Sequence, residues 1–477
     1  MIHKKTKIIC TLGPATDDLA VLKKMIKAGM NVARINMSHG IYDEHAKRIK
    51  SIKTIREELG IPIAVMLDTK GPEVRIKTFK EGKVELKKGD LFTLTHKDIE
   101  GDKTSVSITF PDLYKYLKKN DTILSDEGNI ELHVEKINNQ EIITKVISGG
   151  ILSNRKSLNF PDVEIEMEYL SEIDKKDIAF GVEQGVDFIA LSFVRSRDDV
   201  QTIRTFMKTI DGTDVALISK IENRQGVNNM DAIINSSEGI MVARGDMGVE
   251  IPFEELPGIQ KKLIKKCNKA GKIVITATQM LESMITNPRP TRAEISDVAN
   301  AVHDGTSATM LSGETAMGKY PLETVKAMTK IIKHAEKSID YKKTFNEHNM
   351  PVHTIRDAIA HSATNAAHVL NAKAIVIMTF SGESARRLSC YRPQAPIIVP
   401  TPSQKTFYKL ALSWGVTPVN TTKINDFNSL IIHATDCALK TEMVKDGDLI
   451  VIAAAVPVGI SENINMIKIR RVGGGIV

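Results

Sequence analysis

Eight short apolar runs organise this chain, at residues 7–10, 31–35, 63–67, 188–191, 215–219, 239–242, 273–277 and 308–311, and they alternate with stretches of helical periodicity. Repeated strand-then-helix units of this kind predict a (β/α)8 barrel with a parallel sheet. The 3.6-residue spacing is legible in Leu19, Leu22 and Ile26 ahead of Gly29, and in Ile49, Ile52, Ile55 and Leu59 ahead of Gly60, where glycine supplies the stop. Active sites of such barrels occupy the C-terminal ends of the strands, so the residues just after each run are the candidates.

Between the third and fourth runs the texture changes. From Glu73 to about Glu166 the pattern alternates with period two, and turn signals stand at Glu81-Gly82, Lys88-Gly89-Asp90, Gly101-Asp102, Asp126-Glu127-Gly128-Asn129 and Gly149-Gly150. This predicts a small all-β domain inserted into a barrel loop, placed to act as a lid that excludes water. After the eighth run, the polar segment 340–353 reads as a linker, and strands at 374–379, 397–400, 449–453 and 466–471 with helices between them predict a third, α/β unit. The expected fold class is α/β. A (β/α)8 TIM barrel spans residues 1–71 and 167–338, an inserted β-barrel lid spans 72–166, and a C-terminal α/β regulatory domain spans 339–477.

Composition narrows the function by exclusion. Hydrophobic residues at 42% and charged residues at 26% describe an ordinary globular chain. The longest apolar run, 449–460, is broken by Pro457 and Gly459 and is too short to cross a bilayer. The basic N-terminus leads straight into a strand and lacks a signal-peptide core. Cys10, Cys267, Cys390 and Cys437 are far apart without CxxC spacing, which predicts reduced thiols in a cytoplasmic protein. A net charge of +7 is spread along the chain with one Trp and 5% aromatics, so neither nucleic acid nor membrane is expected, and anionic small molecules are.

The chemistry collects after the fifth and sixth runs. On an extended strand Lys220 and Glu222 project together, and Asp246, after the next run, completes a pair of carboxylates suited to Mg2+ or Mn2+. An ammonium beside such a cation neutralises charge on phosphate or an enolate. A plain core ion pair between Lys220 and Glu222 is the competing explanation.

After the second run, Arg34, Asn36 and Ser38 face one way; the guanidinium suits phosphate and the neutral oxygens suit a monovalent cation, although Asn-x-Ser is also ordinary turn chemistry. After the third, Asp68 and Thr69 add oxygens, Arg75 adds a second phosphate fork, and Gly71-Pro72 forms a rigid exit into the insertion. The turn Ala243, Arg244, Gly245, Asp246 leads into a helix whose free N–H groups suit a carboxylate. Thr278 and Ser312, after the seventh and eighth runs, line the remaining wall. In the third unit, Thr379, Ser381, Gly382 and Ser384 surround a strand-to-helix turn, open either to phosphate binding or to simple capping.

Taken together, these segments resemble the pyruvate kinase family over essentially the whole chain, through KIICTLGP, NVARINMSHG, LDTKGPEVR, ISKIEN, MVARGDMGVE, ITATQMLESM, PTRAEISDVANAV and MLSGETAMGKYP in family order. The resemblance implies phosphoryl transfer from phosphoenolpyruvate to ADP, giving pyruvate and ATP, with Mg2+ (or Mn2+) and K+, in a homotetramer. It implies that Lys220 stabilises the transferring phosphoryl group, that Glu222 and Asp246 hold the divalent ion, and that Arg34 contacts phosphate. It gives the substrate carboxylate to the backbone of Ala243, Arg244, Gly245 and Asp246 and to the Thr278 hydroxyl, and K+ to Asn36, Ser38, Asp68 and Thr69. Arg75 and Lys156 match nucleotide-side positions with Asn36 and His39 nearby, and Ser312 matches a relay that protonates the enolate. Glu73 resembles the K+-dependent branch of the family.

The chain departs from the family pattern away from this centre. Ser157 and Asp162 replace common glycines around Lys156, Phe380 and Glu383 stand where basic or small residues are frequent, and the loop 456–465 lacks paired threonines. Glu383 would repel a phosphate, so a monophosphate sugar or nucleotide is the favoured effector class. The sequence stops at Val477, and the resemblance therefore implies the form of the family without the additional C-terminal domain that some bacterial members carry. The competing functions are another Mg-dependent, enolate-stabilising barrel enzyme and a non-catalytic phosphometabolite sensor.

Overall fold

The computed structural model describes residues 3–347, 350, 352–458 and 464–474. Strands β1 (Lys7–Thr11), β2 (Val32–Asn36) and β3 (Ala64–Asp68) open the chain. The insertion follows with β4 (Val74–Arg75), β5 (Lys83–Leu86), β6 (Leu91–Thr95), β7 (Ser105–Ser107), β8 (Thr122–Ser125), β9 (Ile130–Asn138), β10 (Glu141–Ser148), β11 (Gly150–Ser153) and β12 (Ser157–Asn159). The chain then resumes its first unit with β13 (Phe188–Leu191), β14 (Ala216–Ile221), β15 (Gly239–Ala243), β16 (Ile273–Ala277) and β17 (Ala308–Leu311). A last group comprises β18 (Ala374–Ile377), β19 (Ile397–Thr401), β20 (Val416–Asn420), β21 (Leu449–Ala454) and β22 (Met466–Arg471).

The eight strands β1–β3 and β13–β17 pair in parallel and close on themselves, β17 returning to β1. Their apolar runs are buried on both faces, as parallel strands under helices must be. One face packs outward, where Ile8, Ile35, Leu67, Ile189, Leu217 and Val274 meet the helices. The other fills the lumen with Ile9, Val32, Met66, Phe188, Ile218, Met241, Ile275 and Met310. Ala411 and Leu412, from the C-terminal unit, join this inner cluster and plug the floor of the barrel. Complete burial of Leu412 contributes roughly 1.5–3 kcal/mol. Helix Tyr42–Leu59 stops at Gly60, whose φ of 61° is the left-handed turn a side chain would resist.

The insertion is all β, with a seven-stranded sheet in the order β4-β12-β8-β9-β10-β6-β7 and a β11-β5 pair. Phe92, Leu94, Val106, Ile123, Leu132 and Val146 form its own core. It leaves the barrel just after β3, at the end where the candidate residues lie.

The C-terminal sheet runs β20-β19-β18-β21-β22, parallel except for the last pair. β20 was not among the predicted strands because Pro418 interrupts its pattern. As an edge strand it needs fewer N–H donors and tolerates the proline. Within the predicted linker 340–353, helix Tyr341–Glu347 forms instead. Its spacing buries Tyr341 and Phe345 on one face, against Trp414 and His368, with ring centroids 6.2 and 5.4 Å apart. Residues 348, 349 and 351 of that segment and 459–463 of the threonine-poor loop lie outside the described residues. Among the described residues no helix is long and apolar enough to cross a membrane.

Candidate active site

Pleating aims every second residue of each barrel strand into the lumen, and the last inward residues form its mouth. In register, Asn36 of β2 pairs with Asp68 of β3, and Lys220 of β14 with Met241 of β15. Lys220 is 8% exposed, and its Nζ lies 2.7 Å from Ser192 Oγ, 3.0 Å from Glu222 Oε1 and 3.2 Å from Asp68 Oδ1. Arg34, equally buried, donates from Nε to Asp68 Oδ2 at 2.6 Å and from Nη1 to Thr11 Oγ1 at 3.0 Å. Buried cations survive only when paired, and one carboxylate serves both.

The charges set one another. Burial alone would raise the Asp68 carboxyl, but Arg34 and Lys220 outweigh it and hold it below the usual carboxylate range. Burial works to discharge Lys220, and Asp68 and Glu222 more than offset it, so the ammonium stays charged beyond the ordinary lysine range. Glu222 is pushed up to about 8, chiefly by burial and further by Asp246, with Lys220 opposing. Its Oε2 accepts the Phe193 N–H at 2.7 Å. Its buried Oε1 contacts the Lys220 ammonium but, among the described residues, accepts no well-aligned hydrogen bond.

Asp246 lies in the first turn of helix Arg244–Glu250, which begins where β15 ends. The Gly245 N–H donates to Thr278 Oγ1 at 2.8 Å, and that hydroxyl donates to the Ala277 carbonyl at 2.6 Å. Thr278 carries φ of 64°, a strained conformation for a β-branched residue. Arg244 holds it there: Nη2 donates to the Thr278 carbonyl at 2.6 Å, while Nη1 pairs with Asp297 Oδ2 at 2.7 Å. The guanidinium is thereby spent on the turn, and only the backbone of Arg244 remains for a ligand.

The other expected residues are placed less uniformly. Thr69 is buried and accepts from the Ser192 N–H at 3.3 Å, whereas Ser38 and His39 are exposed beyond the end of β2. Asn36 Oδ1 accepts the Ser38 N–H at 3.2 Å, which is the turn chemistry its spacing allowed. The Ser312 hydroxyl is buried without a hydrogen-bond partner among the described residues, and the Ser312 backbone N–H donates to Glu314 Oε2 at 2.6 Å. Arg75 and Lys156 sit on the lid, Arg75 bound to Glu73 and the Arg155 carbonyl, Lys156 to Asp126 at 2.6 Å. Among the described residues neither reaches the Lys220 cluster. Burial raises the Glu73 carboxyl against the pull of Arg75. Asp162, at one of the substituted glycine positions, adopts φ of 63°, which Asp tolerates.

The loop 379–384 caps itself. Thr379 Oγ1 accepts the Gly382 N–H at 3.0 Å, Ser381 Oγ accepts the Glu383 N–H at 3.4 Å, Ser384 is buried, and Glu383 pairs with Arg356.

Sequence reasoning missed Thr11, Ser192 and Phe193. Ser192 Oγ also lies 2.7 Å from the Thr69 carbonyl, so it links β3, β13 and β14. It directly follows the fourth apolar run, so the rule that residues after each run are candidates would have found it.

The donors fit a hard divalent cation to a limited extent. Among the described residues no cluster of three or more His, Cys, Asp or Glu side chains stands ready for a metal. Glu222 Oε1, which touches the Lys220 ammonium at 3.0 Å but accepts no well-aligned hydrogen bond among the described residues, and the neighbouring Asp246 instead supply two oxygens, a set that suits a cation completing its shell with water and substrate.

Family models match the chain in two places. One described as the pyruvate kinase barrel domain covers residues 3–325, and one described as the pyruvate kinase alpha/beta domain covers residues 357–470. The chain is similar to a pyruvate kinase of Clostridium acetobutylicum, 48% identical over 472 residues, which takes in 98% of this chain and 100% of that one. It is also similar to those of Staphylococcus saprophyticus, 47% identical over 98% of this chain and 81% of the relative, and of Geobacillus stearothermophilus, 45% identical over 98% and 80%.

Proposed function

The chain belongs to the pyruvate kinase family, and from that premise we propose that it transfers the phosphoryl group of phosphoenolpyruvate to ADP, giving pyruvate and ATP in the last step of glycolysis. The observation that supports this most is the Lys220 ammonium, kept charged between Asp68, Glu222 and Ser192 beside Arg34 at the barrel mouth. A trianionic substrate needs such cations, and a transferring phosphoryl group needs them most.

In this reading the phosphate of phosphoenolpyruvate meets Arg34 and Lys220, and its carboxylate meets the backbone of 243–246 and the Thr278 hydroxyl. Glu222 and Asp246 would hold Mg2+ or Mn2+, which when bound supplies Lewis-acid neutralisation of the phosphoryl and enolate oxygens. Asn36, Ser38, Asp68 and Thr69 would hold K+. The terminal oxygen of ADP attacks phosphorus, the bond from phosphorus to the enol oxygen breaks, and Lys220 offsets the charge in flight. The enolate then takes a proton on carbon; a Ser312 hydroxyl that is buried without a hydrogen-bond partner among the described residues supports Ser312 as the relay. Arg75 and Lys156 of the lid, with Asn36 and His39 at the rim, attend the nucleotide. The assembly is a homotetramer working in the cytoplasm, and Thr379, Ser381, Gly382 and Ser384 take an effector of the sugar- or nucleotide-monophosphate class.

The test is direct. Purified protein supplied with phosphoenolpyruvate, ADP, Mg2+ and K+ forms pyruvate, and Lys220→Met loses at least about a thousandfold in kcat. Absence of pyruvate from the wild type sinks the reading.

A further inference from the structure

The lid crosses back to the barrel through β12, and there one carboxylate gathers it. Glu250 Oε1, at the end of the helix that begins beside Asp246, accepts the Asn159 side-chain amide at 2.8 Å and the Phe160 N–H at 3.3 Å. Beyond it the Asp162 carboxylate stands 3.5 Å from Arg224, whose fork binds Glu255 at 2.7 and 2.9 Å. The outgoing crossing has a different character: it passes Gly71, with φ of 75° and its N–H on Asp174 at 3.1 Å.

Between the two crossings lies a cavity of about 160 Å3, lined in part by Pro72, Glu73, Asn159, Phe193, Asn223 and Glu250. Close packing is incomplete at the root of the lid, so polar contacts align it: Glu250 holds Asn159 and the Phe160 N–H where β12 ends, and farther along Arg195 donates to the Ile165 and Met167 carbonyls at 3.1 and 2.9 Å. Asn159 belongs to the same strand unit as the lid's two basic candidates. Lys156 stands three residues before it, about 10 Å along an extended chain, and Arg75 pairs with Ser157 across β4 and β12. Whatever sets Asn159 sets Arg75 and Lys156 with it.

We infer that Glu250 is a positioning residue for the nucleotide: by holding Asn159 and the Phe160 N–H, it seats the lid so that Arg75 and Lys156 face the ADP phosphates, while its own helix presents Asp246. The inference rests on the phosphoryl-transfer reading and adds to it the residue that brings lid and barrel into line. Glu250 itself touches no substrate.

Steady-state kinetics with each substrate varied test it. Glu250→Ala raises the KM for ADP about tenfold and leaves that for phosphoenolpyruvate within about twofold. Glu250→Gln, which keeps an amide oxygen for both donors, restores most of the loss. Asn159→Ala, made on the lid, shows the same selectivity and decides the matter if Glu250→Ala does not fold, and where both fold the double variant is no worse than either alone. Equal changes for both substrates, an unchanged ADP KM in folded protein, or additive losses would overturn it. Wild-type protein without turnover would overturn the phosphoryl-transfer reading instead; the latch is then read by hydrogen exchange, with the Phe160 amide exchanging faster in Glu250→Ala, and equal exchange sinking it.

Discussion

Lys220 Nζ lies 3.2 Å from Asp68 Oδ1, an ion pair closed across 152 residues of sequence. Because the second Asp68 oxygen holds Arg34, this fully buried carboxylate is the common counter-charge of the two cations that meet phosphate in the proposed reaction. Asp68→Asn leaves both buried, with Glu222 and Asp246 the remaining counter-charges near Lys220. Folding stability falls by about 3–5 kcal/mol, read from denaturant unfolding, and turnover falls at least about a hundredfold as the cations lose their alignment.

Thr278 should reverse the usual sign of a site mutation. Its left-handed backbone costs about 1–3 kcal/mol in a β-branched residue. Glycine adopts that conformation freely, so Thr278→Gly raises the melting temperature. The same change removes the hydroxyl beside the Gly245 N–H and lowers kcat/KM for phosphoenolpyruvate by about tenfold to a hundredfold. A variant both less stable and fully active would contradict the assignment.

Glu73, to which Arg75 donates at the lid root, resembles the K+-dependent branch of the family, and the resemblance implies activation by K+. Rates in K+ exceed those in a bulky organic cation by at least about tenfold, and Glu73→Lys narrows the gap by supplying a positive charge of its own. Equal wild-type rates in the two salts would refute this.

Lys7 predicts how stability responds to alkali. Its ammonium is buried on the Val416 carbonyl at 2.7 Å, and burial, opposed in part by Glu336, pushes its pKa down to about 8 from an ordinary 10.5. Between those values the unfolded chain binds the extra proton, so stability rises with pH through that window, by up to about 1.4 kcal/mol per unit, and is level below it. Melting temperatures from pH 7.5 to 9.5 should climb more steeply in the wild type than in Lys7→Met.

The barrel was legible because its strands are buried on both faces, which leaves each as an uninterrupted apolar run followed by a helix with its own stop signal. The lid was legible as a change of period. β20 was hidden by Pro418, which only the edge position excuses, and helix Tyr341–Glu347 was hidden because its two aromatic anchors stand in a polar segment. The positions of Lys220, Glu222 and Asp246 followed from period-two alternation and the strand-end rule. Ser192 was passed over, since a lone serine carries no signal until its neighbours are known.

The sequence by itself determined which residue types end each barrel strand, and with them the kind of chemistry, because pleating aims alternate residues inward whatever the rest of the chain does. It could not decide pairings. That Asp68 serves both Arg34 and Lys220, that Arg244 is spent on the Thr278 turn, and that Glu250 holds the returning strand of the lid all depend on closure of the barrel. Closure brings together groups 152 residues apart, as Lys220 and Asp68 are, and 300 apart, as Thr11 and Leu311 are, and removes the water that would otherwise screen them, so their charge states and partners exist only in the folded chain.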